Sequence, residues 1–140
     1  MALSIADATT VTASINGTLF CTVNGSLGVN GSATPVFPNA LVQLQCGGGN
    51  TVVASATTNS AGMFAINLNF NILGPSPVTL ANLLGGRCRL RVATPLVSCN
   101  STLPPGNLVS APLRLIVTAS NGLIIIFRFG TTGFTLTASN

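Results

Sequence analysis

The run LRLIVTASNGLIIIFRF, residues 113–129, decides the architecture. Asn121-Gly122 between two apolar, β-rich runs is the signature of a type I′ hairpin turn, whose two central residues both need positive φ. Leu113–Ala119 and Leu123–Phe129 are therefore read as paired antiparallel strands. The stretch Leu123–Phe127 is uncharged, free of Pro and rich in β-formers, so it is either buried on both faces or becomes an association site. One sandwich covers one face of a strand only. Leu123, Ile125 and Phe127 are accordingly the candidate association surface.

Outward from this hairpin the texture stays β: runs of Val, Ile, Thr, Leu and Phe broken by Gly, Asn, Ser and Pro. Val11–Val23 reads as a first long strand with a bulge at Gly17, and residues 24–39 as a Gly-, Asn- and Pro-rich loop. Ala40–Cys46 alternates cleanly, with Ala40, Val42, Leu44 and Cys46 on one face and Gln43 and Gln45 on the other. Gly47–Asn50 turns the chain into a strand over Thr51–Thr57, and Asn59–Gly62 turns it again. In Met63–Phe70, Phe64, Ile66, Leu68 and Phe70 alternate with polar or small residues, as in a half-buried strand. Ser76-Pro77 before Val78–Leu84 and Gly85-Gly86 after it give the one helix signal, two turns at most. Arg87–Ala93 then places Cys88, Leu90 and Val92 inward and Arg87, Arg89 and Arg91 outward, a basic stripe. That stripe either keeps an uncharged sheet soluble or binds an anionic glycan or lipid. Pro95–Pro112 reads as a loop, and Phe134–Thr137 as a last short strand. About seven short antiparallel strands make an all-β domain, a sandwich or a small closed barrel.

Charge sets this sequence apart. Charged residues are 4% of 140, where about 25% is usual, while 47% are hydrophobic and mean hydropathy is +0.66. Such a chain can bury a core, and disorder is excluded because disordered chains pair low hydrophobicity with high charge. His, Lys, Glu, Tyr and Trp are absent, and Asp7 is the only carboxylate side chain. General acid–base catalysis needs a positioned group titrating near the working pH. No carboxylate pair, Ser–His–Asp triad or Cys–His couple can be assembled from this inventory. The expectation is a non-enzyme with no cofactor and no metal, an all-Cys site being the only metal chemistry left open. Net charge is +4, yet five Arg without Lys, Trp or Tyr offer neither an electrostatic funnel nor a stacking platform for nucleic acid. No run of 18 apolar residues exists, so no transmembrane helix is expected.

Cys21, Cys46, Cys88 and Cys99 are even in number, widely spaced and without a C-x-x-C pair, which favours two disulfides over four buried thiols. Four cysteines allow three pairings, and spacing does not choose among them. Asn16, Asn24, Asn30 and Asn100 each begin an N-x-S/T triplet, which together with the cysteines points to a secreted glycoprotein. Residues 1–8 end in Ala6-Asp7-Ala8, resembling the close of a signal peptide, although no basic segment precedes them. Residues 1–8 are thus read as a leader remnant and 9–140 as one domain.

At several places the residues are also familiar. Ala13–Gly17 leading into Phe20-Cys21, Pro38-Asn39-Ala40 running through Val42–Cys46, Thr58–Gly62 before Phe64, Cys88-Arg89-Leu90, and Pro95-Leu96 before Ser98–Asn100 carry the likeness. With them the chain resembles the secreted plant family shared by the major olive-pollen allergen and pollen/extensin-type cell-wall proteins, most nearly its leaf-surface glycoproteins. The resemblance spans roughly residues 11–130. It implies a small disulfide-stapled β-barrel or sandwich. The family's usual C-x-x-C in the first strand is broken here by Asn24, and no Cys follows Cys99, so one whole bridge is missing. The two bridges that the resemblance implies are Cys21–Cys99 and Cys46–Cys88. It carries over no catalytic residues. It implies a hydrophobic protein deposited on aerial surfaces, in the apoplast or in the wall, that restrains germination of fungal and oomycete spores. Competing expectations are a wall or cuticle protein that self-assembles through apolar β-sheet, and a carrier of apolar ligands. Partners would be a second copy or an apolar cuticular, wall or microbial surface.

Overall fold

Each clean alternation in the sequence becomes a strand with one buried face, and two sheets close these faces on each other. The structure is a computed structural model that describes residues 10–25, 34–48, 51–69, 77–121, 124–131 and 133–137. Its strands are β1 (Thr10–Thr18), β2 (Leu41–Cys46), β3 (Thr51–Thr57), β4 (Met63–Asn69), β5 (Cys88–Val92), β6 (Asn107–Ser110), β7 (Arg114–Asn121), β8 (Ile124–Gly130) and β9 (Phe134–Thr137). One helix, α1 (Pro77–Leu84), lies between β4 and β5. A four-stranded sheet runs β4-β1-β8-β7 and a five-stranded sheet runs β3-β2-β5-β6-β9. Among the described residues there are nine strands rather than about seven. Not all pairings are antiparallel as expected: β1 and β8 run parallel, because β1 lies between β4 and β8 in the sheet. The sheets remain separate layers, so the fold is an all-β sandwich and not a closed barrel.

The core lies between the layers. The four-stranded sheet contributes Val11, Ala13, Ile15, Phe64, Ile66, Leu68, Ile125, Phe127 and Phe129; the other sheet supplies Val42, Leu44, Leu90, Val92 and Leu108. Leu80 and Leu83 of α1 close one side. Phe127 and Phe129 lie with ring centroids 6.5 Å apart and planes tilted by 46°, an arrangement that aromatic quadrupoles favour.

Three further readings of the sequence change. The first strand stops at Thr18 rather than Val23. Beyond it, Leu19 leaves the ladder to accept the Phe37 N–H and donate to Gly62 O, at 2.9 and 2.8 Å. Gly17 is not a bulge: β1 pairs with β4 without interruption through Gly17 and Phe64. The ring of Phe64 covers this glycine so closely that an added Cβ would lie 2.9 Å from Phe64 Cζ. The register shifts fall elsewhere, between Leu44 and Gln45 and between Leu115 and Val117. Finally, the presumed loop 95–112 holds a short 3-10 helix, Leu96–Ser98, and the strand β6. The helix signal at 77–84 becomes α1; its Ser76 cap, Phe70, Gly122 of the Asn121-Gly122 turn, Leu123 after it and residues 1–8 lie outside the described residues.

The Pro38-Asn39-Ala40 motif has a mechanical explanation. Asn39 takes a φ of 58°, a conformation that Asn tolerates better than most residues, and so turns the chain into β2. Buried Thr58 holds this turn: its Oγ1 accepts the Ala40 N–H at 2.8 Å and donates to Phe37 O at 2.6 Å. Thr58→Val should therefore strand two buried backbone groups, at about 1–3 kcal/mol each. A melting temperature lowered by roughly 5–15 °C in a calorimetric scan is expected. Thr58→Ser, which keeps the hydroxyl, should recover most of the loss.

Candidate functional site

A sandwich buries its inner faces, so any site made by the sheets themselves must lie on an outer face, at an edge or in a connecting turn. The outer face of the five-stranded sheet carries the basic stripe. Arg89 points outward, Arg91 is half-buried, and Arg87 stands exposed just before β5, alternating with buried Cys88, Leu90 and Val92. Gln45 and Gln43 of β2 sit directly across from Arg89 and Arg91. The stripe is thus bordered by neutral amides, and exposed Val52 lies across from Gln45 on β3.

The candidate association surface at Leu123, Ile125 and Phe127 has to be corrected. Ile125 is 3% and Phe127 5% exposed, both in the core, and Leu123 lies outside the described residues. Because β8 sits in the interior of its sheet between β1 and β7, its large Phe127 and Phe129 fill the space between the layers. Ile125 follows them inward by the period of two. The uncovered face is the opposite one, made by Ile124 (41%) and Ile126 (37%). Register extends it: Val117 pairs with Arg128, Ala119 with Ile126, and Asn121 with Ile124. The shift between Leu115 and Val117 leaves Ile116 67% exposed, its side chain over Gly130. Arg114, opposite Gly130, and Arg128 stand on this same face. The exposed residues that sequence reading missed are therefore Ile116, Val117, Ile124, Ile126, Arg114 and Arg128. The signal was present in Arg128, a charge between two Phe, which has to point to water and so sets the parity of the strand.

The two bridges tie the ends of this framework. Cys21 is bonded to Cys99, with Cα atoms 6.1 Å apart, which joins the turn after β1 to the end of the 3-10 helix. Cys46 is bonded to Cys88, directly opposite each other on β2 and β5, with Cα atoms 4.1 Å apart. Of the sequon residues, Asn16 is exposed on the outer face of β1, and its Oδ1 accepts the Ser14 hydroxyl at 2.8 Å. Asn100 is exposed beside Cys99, and its Oδ1 accepts from the Thr102 N–H and hydroxyl at 3.0 and 2.6 Å. Asn24 is exposed in the turn after Cys21, but Ser26 of its triplet and all of the Asn30 triplet lie outside the described residues. An open concavity of about 490 Å³ beside Asn16 is lined by Gly17, Thr57, Met63 and Phe64, among others, with no titratable side chain in its wall. Among the described residues no helix is long and apolar enough to cross a membrane.

What these features define is a small disulfide-stapled β-sandwich that presents large outer faces, one with a basic stripe and one whose β7–β8 half is apolar with two Arg. The family model described as "Phylloplanin antifungal protein" matches residues 9–140, and the protein named Phylloplanin from Nicotiana tabacum is 40% identical over 139 residues, 96% of this chain and 83% of that relative. The chain belongs to the phylloplanin family. The expected resemblance is thereby narrowed to the phylloplanin family. No solved structure matches the chain.

Proposed function

We propose that the chain is a secreted plant-surface glycoprotein that restrains fungal or oomycete spores through non-enzymatic association with surfaces. The family match over residues 9–140 carries this reading, because the family is described as antifungal. The match starts at residue 9, which supports taking residues 1–8 as the end of a leader and 9–140 as the working domain. An extracellular site of action also suits two disulfides, which persist in oxidising compartments. Asn16 and Asn100 are exposed sequon residues, each open to a glycan.

The test is a spore-germination assay with the purified full chain. Inhibition should scale with protein supplied per spore surface and should stop growing once the protein is adsorbed, as for a stoichiometric agent. It should vanish on reduction and alkylation of the two bridges. Germination unaffected at any dose, or inhibition by catalytic traces of protein, would refute the reading.

The exposed Ile116, Val117, Ile124 and Ile126 favour a second reading, a wall or cuticle protein that assembles through apolar sheet. It would give oligomers that strengthen in concentrated sulfate, a salt that promotes apolar burial.

A further inference from the structure

The outer face of the four-stranded sheet is divided along the β1–β8 boundary. On the β1 and β4 side it is mostly polar, with Thr12, Ser14, Asn16, Asn67 and Asn69, and carries one large apolar side chain, exposed Met63, at the end of β4. On the β8 and β7 side stand Ile124, Ile126, Val117 and Ile116, with Arg128 and Arg114 at one end. The apolar half is continuous with an edge, because β7 ends the sheet and all of residues 114–120 are exposed.

Charge identifies what this half accepts. The chain has five Arg and one carboxylate side chain, Asp7, at the opposite end of the sequence from this hairpin. A second copy laid on the patch would oppose Arg128 and Arg114 with a face whose charged side chains are all positive, which leaves guanidiniums desolvated and unpaired. A neutral wax would likewise give them no counterion. An anionic headgroup layer supplies both needs at once: acyl chains at the depth of the Ile side chains, and phosphate oxygens for the guanidinium forks above them. Long Arg side chains can lie along apolar surface while their heads reach that layer. We propose that the β7–β8 half of this face docks on a lipid bilayer that carries anionic headgroups. The stripe Arg87, Arg89 and Arg91 then faces away from the bilayer, on the far sheet.

The docking surface rests on the surface-association reading above and gives it a substrate. Flotation of the full chain with phosphatidylcholine vesicles, with and without phosphatidylglycerol, tests it. Partitioning should be at least tenfold stronger on the anionic vesicles and should fall as salt is raised. At about fivefold per Arg, the double variant Arg114→Gln/Arg128→Gln should lower it by roughly 25-fold. Ile116→Ser/Ile126→Ser, at exposed positions, should lower it by about tenfold or more. Arg87→Gln/Arg89→Gln should change it by no more than about twofold, since those charges lie beyond a Debye length from the bilayer. Each variant is first shown by circular dichroism to keep the wild-type fold. Equal binding to neutral vesicles, unchanged partitioning of both the Arg114/Arg128 and the Ile116/Ile126 variants, or loss confined to Arg87→Gln/Arg89→Gln overturns the proposal. Wild type that restrains spores without binding vesicles overturns the docking surface alone. Binding without restraint of spores refutes the antifungal reading and leaves the docking surface standing.

Discussion

Removing the Cys21–Cys99 bridge, as Cys21→Ala/Cys99→Ala, should lower the melting temperature by about 10–20 °C, more than any surface substitution in this chain. The bridge closes a loop of 78 residues, for which chain entropy gives about 4–5 kcal/mol of stabilisation through the unfolded state. The native side of the argument points the same way. After Thr18 the chain has left the main ladder, and the Cys21 segment is held by the isolated Phe20–Val36 bridge and the Cys21 N–H bonded to Pro35 O at 2.9 Å. Cys99 ends a 3-10 helix that no strand pairs with among the described residues. The bridge therefore both shortens the unfolded loop and anchors two irregular segments to each other. Cys46–Cys88 closes only 42 residues and joins strands that are already paired at four further positions, Val42 to Gln45 against Arg89 to Val92. Its loss should cost a smaller drop, with β2 and β5 still paired. Scanning calorimetry of the two double-Ala variants under identical oxidising conditions compares them, and an equal or reversed order would contradict this account.

How much of this was legible depended on how regular each segment is. β2, β4 and β5 alternate strictly, so their buried faces could be read residue by residue, and Val42, Leu44, Phe64, Ile66, Leu90 and Val92 are all in the core. β6 was not legible. It has four residues and pairs with β5 at one register position only, Arg91 with Val109. Side chains do the rest: Asn107 Nδ2 donates to Val92 O and Ala93 O, and Ser110 Oγ accepts the Leu90 N–H. A four-residue strand joined to β5 mainly through Asn and Ser side chains, and laddered on its other side only with the short β9, looks like loop to any reading based on apolar period. Gly17 was misread for a related reason, because the ring that covers it arrives from a residue 47 positions later, Phe64. The candidate surface was recognised as a hairpin with one face uncovered, but the wrong parity was chosen, because an all-apolar run has no period of its own. Only its neighbour Arg128 could supply one.

That parity gives the second large effect. Ile125→Lys should abolish the cooperative fold, whereas Ile126→Lys, one residue along the same strand, should leave it within a few degrees of wild type. Ile125 packs at 3% exposure in a core shared with Phe127 and Phe129, and no carboxylate lies among the described residues to receive an ammonium. An unpaired buried charge costs several kcal/mol even after relaxation, and the lost Ile packing adds about 2–5 kcal/mol. A domain of this size holds only about 5–15 kcal/mol in total, so the variant should be largely unfolded at ambient temperature. At position 126 the same ammonium reaches water directly, and its neighbour across the ladder is the small Ala119. The comparison also separates fold from function. Loss of spore restraint in Ile125→Lys would say nothing about a surface, since the sandwich itself is gone. Ile126→Lys keeps the sandwich and alters only the outer face, so it reports on that face alone. Far-UV circular dichroism and a urea titration of the two variants decide the matter; a folded Ile125→Lys beside an unfolded Ile126→Lys would reverse the assigned parity and move the exposed apolar face back to the odd-numbered residues.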